Sequence, residues 1–237
     1  MDIGSVKALT FDVFGTVVDW RTSIARDLEA FGRERGLSAD WTAFAVAWRK
    51  LYQPSMQRVR SGDLPWTRLD DLHRMSLEKL LPEFGIAGLS EADLDHVNRA
   101  WHRLDPWPEA VAGLTRLRTR FVLATLSNGN VALMVNMAKR AGLPWDAILG
   151  AEPARHYKPD PQCYLATADF LGLRPDQCLM VAAHNGDLGA ARGVGLRTAF
   201  VCRPTEHGPK QTTDLSAEKD WDVVATDFQD LARQLGC

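Results

Sequence analysis

Apolar positions along this chain follow two different rhythms. Short β-compatible runs occupy 6–11 (VKALTF), 121–126 (FVLATL) and 178–183 (CLMVAA), with shorter ones at 198–202 and 222–225. The first three stop abruptly at polar, turn-forming groups: Asp12 and then Gly15, Ser127-Asn128-Gly129, and His184-Asn185-Gly186-Asp187. Apolar runs bounded in this way read as buried strands. Between them, 109–119, 131–141, 161–171 and 188–193 read as helices. Strands alternating with helices predict an α/β fold, a doubly wound parallel sheet covered on both faces. Ligands of such sheets sit beyond the carboxyl ends of the strands, where Asp12, Ser127 and Asp187 all fall.

The stretch 18–104 is helical in pattern instead. Ile24, Leu28 and Phe31, then Phe44, Trp48 and Leu51, then Leu69, Leu72 and Met75 recur at helical spacing. Gly36, Ser61-Gly62-Asp63 and Gly85 supply the breaks between helices. This predicts a helical cap at 18–104 inserted into an α/β core made of 1–17 and 105–237. The eight tryptophans fall mostly in or beside the cap and read as packing anchors.

Composition narrows the function. Charged residues make up 24% with a formal net charge of -2, which argues against a nucleic-acid footprint, so a small anionic ligand needs a local cluster of donors. Cys163, Cys178, Cys202 and Cys237 are scattered without metal-ligand or CxxC spacing, and Cys163 and Cys178 sit in apolar stretches. A reduced, cytoplasmic protein is the expectation. The 1–11 stretch has too short an apolar run for a signal peptide, and no window reaches roughly 18 apolar residues, so no membrane association is expected.

The chemistry-bearing residues come in four ordered groups: Asp12-Val13-Phe14-Gly15-Thr16, Ser127-Asn128-Gly129, Tyr157-Lys158-Pro159-Asp160, and a run ending at Asp187. Together with the inserted helices they resemble the haloacid dehalogenase superfamily over nearly the whole chain, and the Rossmann-like core is what that resemblance implies. One DxxGT alone is a weak signal; four in order are specific. Phosphatases of that superfamily carry a second aspartate two positions after the nucleophile, which protonates the leaving alkoxide. Here that position is Phe14. A halide leaves without protonation. One position that supplies a Mg²⁺ ligand in those phosphatases is Ala183, and a hard-cation site is weakened by losing a carboxylate. The chain therefore resembles the L-2-haloacid dehalogenase branch, which implies no metal and no cofactor. A Mg²⁺-dependent phosphatase and a non-catalytic, small-acid-binding member are the alternatives.

The resemblance implies the following roles. Asp12 attacks the carbon bearing the halogen in a short 2-haloacid and forms an aspartyl ester. Lys158 keeps Asp12 ionised, Thr16 hydrogen-bonds its carboxylate, and Asp187 works with Lys158 on the water that cleaves the ester. Asp187 also reads as an ordinary helix N-terminal aspartate. Ser127 and the backbone amides after Asp12, at Val13 and Phe14, bind the substrate carboxylate. Trp48-Arg49 matches a pair whose arginine reaches the leaving halide. No acidic residue stands at positions 45, 46, 52 or 53 to pair with Arg49, although a solvated surface arginine reads equally simply. Asn128 and Phe14 complete the halide cradle. Tyr164 orients Lys158 or the carboxylate, or is a plain core tyrosine.

Where better-known dehalogenases carry Ser-Ser-Asn-Ala-Trp-Asp, this chain has Ala182-Ala183-His184-Asn185-Gly186-Asp187. His184 is then either a new water-binding or acid–base group or a structural histidine, and Asn185 beside it is a further candidate catalytic residue. The expected partners are a 2-haloacid and the halide product, with self-association as a homodimer left open.

Overall fold

The computed structural model describes residues 4–237; positions 1–3, the start of the stretch weighed as a signal peptide, lie outside the described residues. The chain opens with β1 (Ala8–Phe11), a wholly buried strand, and then β2 (Val18–Asp19). Helices α1 (Trp20–Arg35), α2 (Trp41–Lys50), α3 (Tyr52–Arg60), α4 (Leu69–Glu83) and α5 (Glu91–Asn98) follow before β3 (Asp105–Pro106) returns the chain to the sheet. Strands β2 and β3 pair antiparallel, Val18 with Pro106 and Asp19 with Asp105, so the way out to the helices and the way back form one two-stranded neck. Val18 is therefore a strand residue in this neck and the helices begin at Trp20; two-residue strands carry no periodicity that a sequence pattern could show.

The remainder alternates as the pattern predicts. It comprises α6 (Ala110–Arg118), β4 (Val122–Ser127), α7 (Val131–Ala141), β5 (Ala147–Gly150), α8 (Ala151–Ala154), α9 (Pro161–Phe170), β6 (Cys178–Ala182), α10 (Asn185–Gly193), β7 (Arg197–Val201), β8 (Val223–Ala225) and α11 (Phe228–Gln234). The sheet is parallel throughout, in the order β5-β4-β1-β6-β7-β8. Winding proceeds outward from β1 through β4 to β5, then crosses to β6 and runs outward the other way. The switch lies between β1 and β6, the crevice where such sheets bind ligands.

Local chemistry explains how the helices position the site. Asp19 accepts from the Thr22 amide at the start of α1, and Gly36, at φ 66°, closes it in the left-handed conformation. Between these caps Trp20, Ile24, Leu28 and Phe31 are buried along one face. Asp40 caps α2 through the Ala43 amide, and α2 buries Phe44, Ala45 and Trp48, which sets Arg49 in its last turn. The helices rest on the sheet domain through named contacts. Arg60 Nη1 donates to the Lys158 carbonyl (2.9 Å), Tyr157 Oη to the Thr67 carbonyl (2.7 Å), and Asn130 Nδ2 to Asp70 Oδ2 (2.8 Å). No helix among the described residues is long and apolar enough to cross a membrane.

Candidate active site

A cleft of about 900 Å³ opens between the carboxyl ends of β1 and β6 and helices α2 and α3, with Asp12, Lys158 and Asp187 on its floor. Asp12 follows β1 directly; its amide still donates to the Val181 carbonyl (3.0 Å), so its side chain is fixed at the sheet edge. Asp12 is 7% exposed, and its two carboxylate oxygens are held differently. Oδ1 accepts from Lys158 Nζ at 3.0 Å. Oδ2 accepts from Thr16 Oγ1 at 2.6 Å and lies 3.1 Å from His184 Nδ1. The Ala183 amide donates to Thr16 Oγ1 (2.9 Å), which turns the threonine proton toward Asp12.

Burial alone pushes the Asp12 carboxyl upward, but Lys158, then His184 and Thr16, outweigh it and hold the group well below the ordinary carboxylate range. Lys158, 6% exposed, also donates to Asp187 Oδ2 at 2.6 Å. Burial opposes its charge, yet Asp12 and Asp187 together keep the ammonium above its usual value. Tyr164 Oη donates to Asp187 Oδ1 at 2.5 Å, so it orients the aspartate and leaves the lysine to the carboxylates. Burial and the neighbouring Asp187 charge push the Tyr164 phenol upward, which keeps it a donor.

His184 bridges two acids. Its Nε2 lies 2.8 Å from Glu206 Oε2, and the other Glu206 oxygen accepts from Trp20 Nε1 (2.9 Å). Burial disfavours the imidazolium, but Glu206 and Asp12 outweigh it and raise His184 well above its ordinary value. Glu206 is 1% exposed, and the same interactions hold its carboxyl below the ordinary range against burial. The sequence pattern gave no role to Glu206, which lies in the loop after β7. Its position in a loop that follows a strand's carboxyl end is a weak signal, because only the packing of that loop buries it.

Arg49 descends from α2 into an aromatic frame. Its guanidinium carbon sits 4.1 Å from the Tyr52 ring centroid, 5.5 Å from Trp20 and 5.9 Å from Phe14. Its Nη1 is buried with no hydrogen-bond partner. The local partner at i+3 is thus an aromatic face, Tyr52, which a search for acidic partners alone overlooks. Phe14 is buried, its ring edge-on to Tyr52 and Trp101, and no acid occupies its position. Asn128 Oδ1 accepts from the Lys158 amide (2.8 Å) and the residue lines the cleft. Ser127 is fully buried beneath the cleft, its hydroxyl accepting from the Gly129 amide (3.1 Å). Val13 presents no side chain, being fully buried; its amide and that of Phe14 give no hydrogen bond to the protein among the described residues.

Asn185 stands apart from the Asp12 cluster. Its Nδ2 donates to Asp214 Oδ1 and the Ser216 carbonyl, and its Oδ1 accepts from Trp221 Nε1 (2.8 Å) and the Glu218 amide. The side chain staples the loop between β7 and β8 to the start of α10, so all its polar capacity is used away from Asp12. His184, Glu206 and His207 bring potential metal-ligand atoms within 4.8 Å of one another. Both Glu206 oxygens already serve Trp20 and His184, so a metal ion there must displace those hydrogen bonds.

Comparison with known proteins gives consistent matches. The family model described as haloacid dehalogenase-like hydrolase matches residues 6–195. The chain is 30% identical to (S)-2-haloacid dehalogenase 1 of Pseudomonas sp. (strain CBS-3), over 84% of this chain and 85% of that one. Its fold superposes on the crystal structure of the defluorinating L-2-haloacid dehalogenase Rha0230 with a TM-score of 0.96 at 50% identity, covering 98% of this chain and 96% of that one. For the L-2-haloacid dehalogenase PA0810 the TM-score is 0.94 at 52% identity, covering 97% and 98%.

Proposed function

This chain belongs to the haloacid dehalogenase-like hydrolase family, and from that premise we propose that it hydrolyses the carbon–halogen bond of haloacetates and L-2-haloacids. The observation that carries this reading is the pairing, in one cleft, of an ionised buried carboxylate with a guanidinium N–H that no protein group satisfies. The first supplies a nucleophile and the second a donor for a departing anion. Residues 18–104 serve as the cap that brings Arg49 over the sheet.

The reaction runs in two steps. Asp12 Oδ1 attacks C2 in line with the carbon–halogen bond, the halide leaves with the bonding pair toward Arg49, and C2 inverts. The substrate carboxylate is received by the free amides of Val13 and Phe14, at the end of β1. Water then adds to Cγ of the ester and passes a proton to Asp187. Collapse breaks the Cγ–Oδ1 bond, the alkoxide takes that proton, and the remaining proton goes to solvent as Asp12 re-ionises. An L-2-haloacid gives the D-2-hydroxy acid, and a haloacetate gives glycolate. A screen of fluoro-, chloro- and bromoacetate and both 2-chloropropionate enantiomers tests the class; no halide from any of them sinks it.

Isotope position tests the covalent route separately. With enzyme in excess in ¹⁸O-water, the product hydroxyl is expected to be unlabelled and one heavy oxygen to appear in the peptide containing Asp12. Labelled product with an unlabelled peptide means that water attacks C2 directly, and Asp12 is then not the nucleophile.

Chelators are expected to leave halide release unchanged. The space between Asp12 and Asp187 already holds a cation, the Lys158 ammonium, at 3.0 and 2.6 Å. Ala183 adds no further oxygen ligand from its side chain. Activity lost in EDTA and restored by Mg²⁺, or phosphate release from a phosphomonoester under the same conditions, favours the phosphatase alternative instead.

A further inference from the structure

The chain has a buried acid that the two-step reading does not use. Glu206 lies outside the four sequence groups, 1% exposed, and is held on three sides. Trp20 Nε1 occupies one oxygen, His184 Nε2 the other, and the backbone of Gly15 lies against the carboxylate so closely that a Cβ at Gly15 would collide with it. Gly15 also sits at φ 89°, so the glycine of the Asp12 loop is required both by its own conformation and by this neighbour. A side chain so enclosed has a fixed orientation, and it presents Oε2 to His184.

The two nitrogens of His184 then face two different carboxylates, Nδ1 toward Asp12 Oδ2 (3.1 Å) and Nε2 toward Glu206 Oε2 (2.8 Å). A neutral ring would direct a lone pair at one of these anions, whereas the imidazolium places a proton before each. The same Asp12 oxygen receives the Thr16 hydroxyl. Oδ2 therefore faces two donors while Oδ1 has one, from Lys158. The less encumbered oxygen is the one to attack carbon, which leaves Oδ2 as the carbonyl oxygen of the ester.

We propose that Glu206 is a positioning residue that holds His184 as a cationic donor on Asp12 Oδ2, so that His184 and Thr16 form the oxyanion hole for hydrolysis of the aspartyl ester. The inference rests on the dehalogenase reading and concerns its second step. When water adds to Cγ, the π electrons of the ester carbonyl move onto Oδ2, where the two donors already stand; collapse returns them as the bond to Oδ1 breaks. Donors preorganised at the site of developing charge are a large source of rate enhancement. The first step depends on this arrangement less, since Lys158 on Oδ1 already favours the ionised Asp12 and a further cation on Oδ2 lowers the basicity of the nucleophile. His184 is thus assigned to the half-reaction in which Asp12 is an electrophile.

The charge of His184 is set by its whole surroundings. Asp12 faces it from the end of β1 and Glu206 from the loop after β7, with His207 3.6 Å from Glu206. Lys158 stands on the far oxygen of Asp12 and Asp187 beyond it, and Arg49 and Asp214 line the same cleft. Esterification removes the Asp12 charge and leaves Glu206 as the one anion in direct contact with the ring among the described residues. Glu206 therefore decides how far the pH can rise before ester hydrolysis fails.

Single-turnover kinetics, following halide, hydroxy acid and the intact mass of the protein, test this. In Glu206→Gln, halide release in the first turnover is expected to stay within about threefold of the parent. Hydroxy-acid formation slows on the order of tenfold to a hundredfold, and a covalent adduct accumulates on Asp12. The alkaline limb of hydroxy-acid formation shifts to lower pH, because an amide no longer favours the imidazolium. Trp20→Phe keeps an aromatic side chain beside Arg49 but deletes the donor to Glu206, which strengthens the carboxylate's pull on the His184 proton, so its limb shifts to higher pH. Halide release with no adduct build-up and unmoved limbs in both variants overturns the proposal, as does an equal loss of both steps. No halide from the parent protein overturns the dehalogenase reading itself.

Discussion

Replacing Lys158 by methionine is expected to lower halide release by at least about a thousandfold and to destabilise the fold by about 3–5 kcal/mol at neutral pH, the range for breaking a buried ion pair from one side. Methionine fills much of the volume, so the loss is one of charge. In the parent, Lys158 and His184 stand among three buried or half-buried carboxylates, Asp12, Asp187 and Glu206. Without the lysine, the His184 imidazolium reaches only Asp12 and Glu206, Asp187 loses its cation, and one acid is driven to take up a proton. If that acid is Asp12 the nucleophile is lost, and if it is Asp187 the water-activating base is lost; either outcome stops turnover.

The pH dependence of that destabilisation has a definite sign. The folded-state value of Asp12 lies below its unfolded value. Its stabilisation is therefore present above the unfolded value near 4 and fades only as pH falls through the folded one. Lys158, held above its unfolded value, contributes fully below that value and fades as pH climbs through the raised one. The gap between parent and Lys158→Met is thus widest near neutrality and narrows as pH falls toward about 4, where carboxylates left unpaired and raised by burial protonate. Urea unfolding at pH 7 and pH 4 reads it directly. Equal stability at pH 7, or a tenth of the parent activity retained, shows that Lys158 does not hold the acids apart.

Much of this site was legible because the fold writes it at strand ends. The runs 6–11, 121–126 and 178–183 are continuous in apolar character and stop at Asp12, Ser127 and the His184–Asp187 segment, and the sheet places those stops at one edge. Strand β5 (Ala147–Gly150) left no comparable trace, since its first three residues are only half-buried and their pattern contrasts little with the flanks. The neck formed by Val18–Asp19 and Asp105–Pro106 is too short for any period. Glu206 was hidden for another reason: in Pro204-Thr205-Glu206-His207 it reads as a polar loop residue, and only the packing of that loop against Gly15 and Trp20 buries it. Asn185 shows the converse. Adjacency to His184 suggested chemistry, but the first turn of α10 rotates its side chain toward Asp214 and Trp221.

Arg49→Ala is expected to reduce halide release by a factor corresponding to about 2–4 kcal/mol of transition-state stabilisation, roughly thirtyfold to a thousandfold, with little change in folding stability. The guanidinium has no carboxylate within ion-pairing distance among the described residues and keeps a buried Nη1 without a partner. Its removal therefore breaks no direct ion pair, although Glu206 loses a longer-range attraction. The loss to the fold is the cation–π contact with Tyr52, an interaction of about 0.5–2 kcal/mol, offset in part by relief of the orphaned N–H. Turnover loses more, because the unpaired Nη1 is the charged donor offered to the halide as it gathers charge. The defect should deepen from bromide to chloride to fluoride. Fluoride concentrates its charge on the smallest atom and depends most on a hydrogen-bond donor, whereas bromide is polarisable and leaves readily. Arg49→Lys, which restores charge without the planar fork, should recover bromoacetate turnover more fully than fluoroacetate turnover. Halide release near the parental rate in Arg49→Ala for all three haloacetates would return Arg49 to a packing role and remove the leaving-group contact from the mechanism.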